Sequence, residues 1–280
     1  MNLTSPSQVK AWCIGHGFHP NKTLGQNFLI DKNALDSILD AAEASSEPPC
    51  TNSAVLEIGP GLGVLTEGLL SRGHSVTAIE KDPVLADRLA ESLGNPPNLK
   101  VLKGDALDFI KSGACDGFPS LVSNLPYQAG TRILLELALR PQARPETITV
   151  LVQTEVAERL AAGPGSKTRG LAGVWTQLDY DVSCVRRIAA SCFWPRPEIG
   201  STVVRLVRHH RNDNLPDDVR ETFSHLTKRA FEHRRKQLGA IFKGEIISSA
   251  RAEELSNEEW IALSTEFAMR NPCATTWHNV

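Results

Sequence analysis

The amino-acid sequence predicts an α/β fold with a mostly parallel sheet and helices on both of its faces, followed by a small all-α domain. From residue 54 onward, short runs rich in β-branched residues alternate with longer helical patterns, an order typical of a parallel sheet wound by helices. The polar segment RNDNLPDD (211–218) then leads into patterns that are all helical. We therefore expect one domain over 1–209, which includes an N-terminal extension over 1–30, and a helical domain over 210–280.

Six apolar runs predict the strands of the sheet. Each run is short and rich in valine, isoleucine, leucine or threonine, as buried strands are. In chain order they are AVLEIG (54–59), SVTAIE (75–80), LKVLKGD (99–105), SLVSNLP (120–126), ITVLVQ (148–153) and GSTVVRLVRHH (200–210).

Helical patterns fill most of the intervals between these runs, and proline or glycine often marks their ends. Pro83, for example, begins one pattern and Gly94 ends it. The patterns of the first domain are GVLTEGLLSRG (63–73), PVLADRLAESLG (83–94), TRILLELAL (131–139), TEVAERLAA (154–162) and GLAGVWTQLDYDV (170–182), the last of which runs toward a strand. The C-terminal domain contributes VRETFSHLTKRAFEHRRKQLGAIF (219–242) and SNEEWIALSTEFAMR (256–270).

Composition limits the class of protein but not its partner. Hydrophobic residues make up 41% of the 280 residues and charged residues 22%, with a net charge of −2, as in an ordinary soluble globular protein. The six cysteines form no C-x-x-C pair, so we expect neither a metal site nor a redox dithiol. No apolar run approaches the ~20 residues of a transmembrane helix, so we expect a cytoplasmic protein with no membrane partner.

A glycine-rich turn follows the first predicted strand. Gly59, Gly61 and Gly63 lie between strand and helix, where missing side chains let a ligand approach the backbone. The dinucleotide fingerprint G-x-G-x-x-G needs a further glycine at position 64, which is Val64, and the acid Glu57 precedes the first glycine. Both details argue against NAD.

Acidic residues end the next two predicted strands. Glu80 can accept hydrogen bonds from both hydroxyls of a ribose, and Asp105 can accept one from the exocyclic amine of an adenine. Together with the glycine turn at Gly59 and Gly61, they predict an adenosyl ligand at the carboxyl edge of the sheet. Taken singly, either acid could instead be an ordinary helix cap or loop acid.

The fourth predicted strand ends in the sequence SNLPYQAG (123–130). The exocyclic amine of a base is a poor nucleophile, and two acceptors aimed at its N–H groups favour the reactive pyramidal form; the Asn124 side-chain oxygen and the Leu125 carbonyl can supply them. Pro126 fixes the turn and Tyr127 offers a ring on which an extruded base can stack. Alternatively, the stretch is a loop with a buried tyrosine.

Other catalytic patterns have little support in the sequence. We find no candidate Ser-His-Asp set and no H-E-x-x-H motif, which disfavours hydrolase and metalloprotease activity. In-line transfer of a methyl group from a sulfonium to the exocyclic amine of a base also needs no strong base as catalyst. The proton on the nitrogen becomes acidic once the nitrogen is methylated.

Eight motifs are spread along the chain from about residue 22 to about residue 238. They are LGQNFLID (24–31), EIGPGLGVLTE (57–67), IEKDP (79–83), GDAL (104–107), NLPY (124–127), VQTEVAERL (152–160), FWPRPEIGST (193–202) and FEHRRKQL (231–238). Together these motifs resemble one known family, the S-adenosylmethionine-dependent ribosomal RNA adenine dimethyltransferases of the type that modifies small-subunit rRNA.

This resemblance implies a Rossmann-like class I methyltransferase fold, S-adenosylmethionine as cofactor and S-adenosylhomocysteine as product. It implies that Asn27 and Leu29 contact the methionine end of the cofactor. It further implies that the site is completed by Gly59, Gly61, Glu80, Asp105 and Asn124. Phe193, in the F-x-P-x-P pattern, is by the same resemblance a second aromatic ring for the target adenine, although a phenylalanine alone is more often a core residue.

Two features depart from the family's usual pattern. The run GSKTRGLAGV (165–174) has Arg169 where the family has a tyrosine and Gly173 where it has a serine, so the role of this loop is open. The chain also lacks a basic excess, but its basic residues cluster near the start of the C-terminal domain. We expect the RNA-binding residues to be Arg229, Arg234, Arg235 and Lys236, the alternative being a solvated helix face.

The expected function is dimethylation of the N6 amines of two adjacent adenosines in a hairpin near the 3′ end of small-subunit (16S) rRNA. The expected partner is that rRNA within an immature small subunit, and we expect the protein to be a monomer. One alternative is a macrolide-resistance-type methyltransferase that acts on large-subunit rRNA. Another is a non-catalytic assembly or transcription factor of the same fold that binds RNA or DNA.

Overall fold

The computed structural model describes residues 1–44, 53–140, 144–243 and 245–270. These described residues divide into two compact units. The first comprises Met1–Ala157 and Val182–Arg208, and the second comprises Glu158–Asp181 and the described residues from His209 onward.

Residues 158–181 belong to the second unit, whereas the expected boundary between residues 209 and 210 places them in the first domain. Within Glu158–Asp181, Trp175 Nε1 donates a hydrogen bond to Thr227 Oγ1 at 2.8 Å. Arg169 Nη2 likewise donates to Asn257 Oδ1 at 2.8 Å. Residues 158–181 thus pack with the C-terminal helices, because their buried polar side chains find partners there. The strand 201–208 follows these residues in sequence but belongs to the first unit.

The described part of the first unit is built on a mostly parallel sheet. Its strands, with the two-residue strands that pair separately, are β1 (Phe28–Leu29), β2 (Ala54–Ile58), β3 (Ser75–Glu80), β4 (Leu99–Lys103), β5 (Ser120–Asn124), β6 (Thr147–Gln153), β7 (Tyr180–Ile188), β8 (Phe193–Trp194) and β9 (Ser201–Arg208). The order is β4-β3-β2-β5-β6-β9-β7. The strands β2 to β6 pair in parallel, and β9 is antiparallel to β6.

Burial along the central strands shows that both faces of the sheet are covered. Successive residues of a strand point to opposite faces, yet four consecutive residues of β2, from Val55 to Ile58, are all buried. The five residues 148–152 of β6 are buried too. Helices therefore cover both faces, as the sequence predicts for parallel strands.

Helices alternate with the strands and make up most of the C-terminal part of the described chain. They are α1 (Pro6–Gly15), α2 (Lys32–Glu43), α3 (Val64–Ser71), α4 (Pro83–Ser92), α5 (Ala106–Ser112), α6 (Gly130–Ala138), α7 (Thr154–Ala161), α8 (Leu171–Gln177), α9 (Asp217–Glu232), α10 (Leu238–Ile241) and α11 (Asn257–Arg270). The helices α1, α2 and α5 were not among the predicted patterns. Asp31, Asp82 and Asp105 cap α2, α4 and α5 by accepting hydrogen bonds from backbone N–H groups of the first turn.

The long helical pattern over 219–242 does not form one helix. The helix α9 ends at Glu232, and the chain forms a turn before the short α10 begins. Leu238 N donates to the Ala250 carbonyl at 2.9 Å, and Gly239 N donates to that of Ser248 at 3.0 Å. Because the backbone bonds to residues 248–250 instead of continuing the helix, the basic residues 234–236 lie in a turn.

A short antiparallel pair joins two distant motifs within the first unit. Phe28 lies opposite Trp194, and Leu29 lies opposite Phe193. The LGQNFLID and FWPRPEIGST motifs therefore meet in space.

Within the described ranges, no helix is long and apolar enough to cross a membrane.

Candidate active site

A cavity of about 340 Å³ opens at the carboxyl ends of the parallel strands of the first unit. The sheet order reverses between β2 and β5, and ligands of such sheets bind at this switch point. The predicted cofactor residues all line the cavity: Asn27, Leu29, Gly59, Gly61, Glu80, Asp105 and Asn124. So do Leu125, Pro126 and Tyr127. The fold therefore brings both predicted halves of the site to one place.

The glycine turn leaves little room for side chains. Gly59 and Gly61 have φ angles of +68° and +61°, in the left-handed region that disfavours other residues. A Cβ atom at Gly59 would lie 3.3 Å from Pro126 Cγ, and one at Gly61 would lie 3.0 Å from the Phe28 ring. The turn is therefore closely fitted between the NLPY motif and β1.

Glu80 is held by backbone amides on both of its carboxylate oxygens. Its Oε2 accepts from Gly61 N at 3.0 Å and its Oε1 from Asp82 N at 2.8 Å. Burial raises the pKa of Glu80, and these amide hydrogen bonds oppose that rise. A carboxylate oxygen can accept more than one hydrogen bond, so Glu80 remains able to bind ribose hydroxyls.

Asp105 both caps a helix and lines the cavity. Its Oδ1 accepts from Leu107 N at 2.9 Å, and its Oδ2 lies 2.8 Å from Lys81 Nζ. The hydrogen bond from Lys81 lowers the pKa of Asp105, which keeps this carboxylate ionised as an acceptor. The capping alternative weighed for Asp105 is thus compatible with a place at the site.

Glu57 also lines the cavity, although sequence reasoning used it only as a detail against NAD binding. Its side chain is 1% exposed, and Thr66 Oγ1 donates to its Oε2 at 2.7 Å. Burial raises its pKa to about 8. An acid within an otherwise apolar strand is the signal that could have identified it as a site residue.

The amide of Asn124 has a fixed orientation. Its Nδ2 donates to the Asn27 backbone carbonyl at 3.2 Å; because a carbonyl can only accept, Oδ1 is the atom left for a ligand. The turn that follows is held by Leu125 N, which donates to the Leu151 carbonyl at 3.2 Å. The Pro126 carbonyl also holds the turn, because it accepts hydrogen bonds from the backbone N–H groups of residues 129 and 130. No hydrogen bond within the described residues uses Asn124 Oδ1 or the Leu125 carbonyl, the predicted acceptors.

Tyr127 is half-buried, and its ring is anchored at the hydroxyl. The hydroxyl lies 2.6 Å from Ser201 Oγ, at the start of β9. Burial raises the pKa of Tyr127. One end of the ring is therefore fixed while the side chain still lines the cavity.

Phe193 does not line the cavity with the other predicted site residues. Its side chain is 2% exposed and belongs to the apolar core of the first unit. Because Phe193 pairs with Leu29 across β1 and β8, it packs behind the cofactor side of the cavity. Its role in this structure is packing, and it offers no exposed ring for a base.

The four expected RNA-binding residues divide into two pairs. Arg229 donates to the Ile241 carbonyl at 3.4 Å and lies 5.3 Å from the centre of the Phe242 ring. Arg234 donates to the Lys167 carbonyl and lies 3.6 Å from Glu253. These two arginines therefore hold the turn. Arg235 and Lys236 are exposed.

The two unusual residues of the 165–174 loop, Arg169 and Gly173, have structural reasons within the second unit. The Arg169 guanidinium is 1% exposed and donates to the Ala162 carbonyl, Gln177 Oε1 and Asn257 Oδ1. A Cβ atom at Gly173 would lie 2.4 Å from the Arg159 carbonyl oxygen. The loop at 165–174 is thus tied to buried neighbours, and only glycine fits at position 173.

Among the residues that the structure describes, no group of histidine, cysteine, aspartate and glutamate side chains could hold a metal ion. Cys50 and Cys273 lie outside these residues. The polar groups that line the cavity include carboxylates, amides and hydroxyls together with the cations Lys81 and Arg132.

Comparison with known proteins identifies the family. A family model described as ribosomal RNA adenine dimethylase matches residues 17–270. The chain is 42% identical to ribosomal RNA small subunit methyltransferase A of Deinococcus radiodurans, over 84% of this chain and 76% of that protein. It is 33% identical to the protein of the same name from Alkaliphilus oremlandii, over 96% of this chain and 99% of that protein.

Solved structures share the fold. A dimethyladenosine transferase from Plasmodium falciparum has a TM-score of 0.73 at 22% identity, covering 87% of this chain and 98% of that one. The 23S rRNA methyltransferase ErmE has a TM-score of 0.64 at 25% identity, covering 86% and 99%. The predicted Rossmann-like methyltransferase fold is confirmed. Since the family model spans nearly the whole chain, the protein belongs to the ribosomal RNA adenine dimethylase family.

Proposed function

We propose that the protein dimethylates the N6 amines of two adjacent adenosines in a hairpin near the 3′ end of 16S rRNA, with S-adenosylmethionine as methyl donor and S-adenosylhomocysteine as product. The observation that carries the proposal is that the NLPY motif, the glycine turn and the acids Glu80 and Asp105 line the same cavity. Membership of the family supports the reaction class.

The cavity residues suit the proposed cofactor. Gly59 and Gly61 line the cavity without side chains of their own, so that a ligand could approach their backbone; Glu80 would hold the ribose, and Asp105 the adenine amine. Asn27, Leu29 and Asn124 would hold the methionine end. When bound, S-adenosylmethionine supplies an electrophilic methyl group on its sulfonium.

The chain's own residues would activate and hold the target base. Asn124 Oδ1 and the Leu125 carbonyl would accept hydrogen bonds from the two N–H groups of the adenine amine, which favours its pyramidal, nucleophilic form. Tyr127, anchored at Ser201, would stack against the extruded base. No side chain needs to act as a strong base, because the methylated nitrogen releases its proton readily.

The second unit would supply contacts to the RNA. Arg235 and Lys236 are exposed on a turn braced by Arg229 and Arg234, and such cations contact phosphates without reading sequence. We propose that the domain over 1–209, apart from residues 158–181, holds the cofactor. The helical domain over 210–280 would contact RNA together with residues 158–181, which belong to the same compact unit.

Relatives named for the small subunit favour 16S over 23S rRNA as substrate. These relatives are 33–42% identical to the chain, whereas the 23S rRNA methyltransferase is 25% identical. We further propose that the substrate is an immature small subunit, that the protein acts in the cytoplasm, and that it acts as a monomer.

The test is nucleoside mass spectrometry on defined particles. The protein and S-adenosylmethionine are incubated with purified immature small subunits or with large subunits, and the rRNA is digested. We expect dimethyladenosine in the small-subunit rRNA alone. Dimethyladenosine in large subunits alone would favour the macrolide-resistance type, and none in either would favour a non-catalytic factor.

A further inference from the structure

Residues 21–29 cross the edge of the cavity and carry Asn27 and Leu29. Gln26 gives this segment its internal shape, because its Oε1 accepts from Asn21 N at 2.7 Å. The other end of the same amide leaves the segment: Gln26 Nε2 donates to Asp82 Oδ2 at 2.9 Å. One side chain thus shapes the segment and attaches it to the region that follows β3.

Asp82 is hydrogen-bonded to Glu80, the acid expected to bind ribose. It is 7% exposed, and its Oδ1 caps α4 by accepting from Val84 N at 2.9 Å and from Leu85 N at 3.3 Å. Its own N–H donates to Glu80 Oε1 at 2.8 Å. The bond from Gln26 therefore reaches Glu80 through a single intervening residue.

The neighbour of Gln26 makes the opposite connection. The Asn27 carbonyl accepts from Asn124 Nδ2, at the reacting end of the cavity. Two consecutive residues, Gln26 and Asn27, thus tie the segment to the ribose side and to the amine side of the same cavity.

We propose that Gln26 is a positioning residue, which locks residues 21–29 to Asp82 so that the methionine-side and ribose-side contacts to one cofactor molecule form together. This inference rests on the proposed binding of S-adenosylmethionine. Gln26 would act through Asp82 and the segment, not by touching the methyl group.

The hydrogen-bond pattern allows an exchange of donor and acceptor as a test. In Gln26→Glu the donor is lost and two carboxylates face each other; in Asp82→Asn two N–H₂ groups face each other. In the double variant, the new amide at position 82 can donate to the new carboxylate at position 26. That carboxylate still accepts from Asn21 N, and the amide oxygen at position 82 still caps α4. The double variant also keeps the net charge of the wild type.

The measurement is the Kd of S-adenosylhomocysteine by titration calorimetry. Loss of a partly buried hydrogen bond to a carboxylate should raise the Kd about tenfold in each single variant, and the double variant should return to within about threefold of wild type. Cofactor KM should rise in the single variants while kcat at saturating cofactor stays near wild type. Gln8→Glu is the matched control, because exposed Gln8 accepts at its Oε1 from Asn2 N, a bond that a glutamate can also accept, and the Kd of this variant should equal that of the wild type.

Single variants that bind as tightly as wild type would overturn the role of Gln26, as would a folded double variant that binds no better than the single ones. Circular dichroism of each variant identifies a failure to fold, and the double variant then decides by its own Kd. If the wild type itself binds neither S-adenosylhomocysteine nor S-adenosylmethionine, the proposed cofactor is wrong and this inference falls with it.

Discussion

Replacing Glu57 by glutamine should stabilise the protein at alkaline pH. The Glu57 carboxyl is buried in β2, and its pKa is about 8 instead of the ordinary 4.5 because burial penalises the charged form. A pKa that is higher in the folded than in the unfolded state gives stability that is fully present below about pH 4.5 and is lost as the pH rises through about 8. Glutamine has a similar shape, can still accept from Thr66 Oγ1, and carries no charge at any of these pH values.

The size of the effect follows from the displacement of the pKa. Each pKa unit corresponds to about 1.4 kcal/mol, so the loss between pH 4.5 and about 8 is on the order of a few kcal/mol. Wild type and Glu57→Gln should therefore have similar free energies of unfolding near pH 5. Above pH 8 the variant should be more stable by that amount.

Urea-induced unfolding at pH 5, 7 and 9, followed by circular dichroism, measures the difference. Glu91→Gln, at an exposed position of α4, is the control and should follow the wild type at every pH. If the free energies of unfolding of wild type and Glu57→Gln differed by the same amount at every pH, the reasoning would be refuted. Glu57 would then ionise alike in the folded and unfolded chain.

Three further predictions test the site and the RNA contacts. Asn124→Ala should lower kcat at least a hundredfold through loss of one acceptor while the cofactor Kd changes only a fewfold; turnover near wild type would remove Asn124 from the mechanism. Tyr127→Phe should keep most activity because the ring remains, whereas Tyr127→Ala should weaken productive RNA binding by ~1–3 kcal/mol, seen in the RNA KM; equal KM values would exclude stacking. Replacing both Arg235 and Lys236 by alanine should reduce the slope of log affinity against log salt by about 1.5 to 2, with the exposed Arg88→Ala as control; an unchanged slope would show that the pair contacts no phosphate.

The sheet and half of the site could be predicted because their signals are local. The five parallel strands each appear as one apolar run, and parallel strands end at a common edge, so Gly59, Glu80, Asp105 and Asn124 could be placed together from their positions after those runs. The capping role of Asp105 needed no distant information either, since its partner is Leu107.

The remaining part of the site depends on contacts between distant segments. Asn27 and Leu29 precede the sheet, and they reach the cavity because β1 pairs with β8 over only two residues. Such a short pairing leaves no periodic pattern. The position of Phe193 could not be predicted for the same reason: the pairing of its motif with β1 leaves its ring buried.

The basic residues show another limit of sequence reasoning. Arg229 and Arg234 look like Arg235 and Lys236 in sequence, yet both donate to backbone carbonyls, those of Ile241 and Lys167. Every residue has a backbone carbonyl, so the sequence does not show which cations donate to one. The structure was therefore needed to separate the two arginines that hold the turn from the exposed Arg235 and Lys236.

The pairing of β1 with β8 has a consequence for how the enzyme is made. During synthesis the N-terminal residues emerge first, but Leu29 finds its partner Phe193 only after most of the chain has been translated, and Tyr127 must likewise wait for Ser201. The strands β2 to β6 can pair earlier, since domains form as their segments become available. Completion of the cavity therefore requires residues that are translated late, and a nascent chain that stops before residue 193 would have the strands β2 to β6 but would lack β8, β9 and the complete cavity.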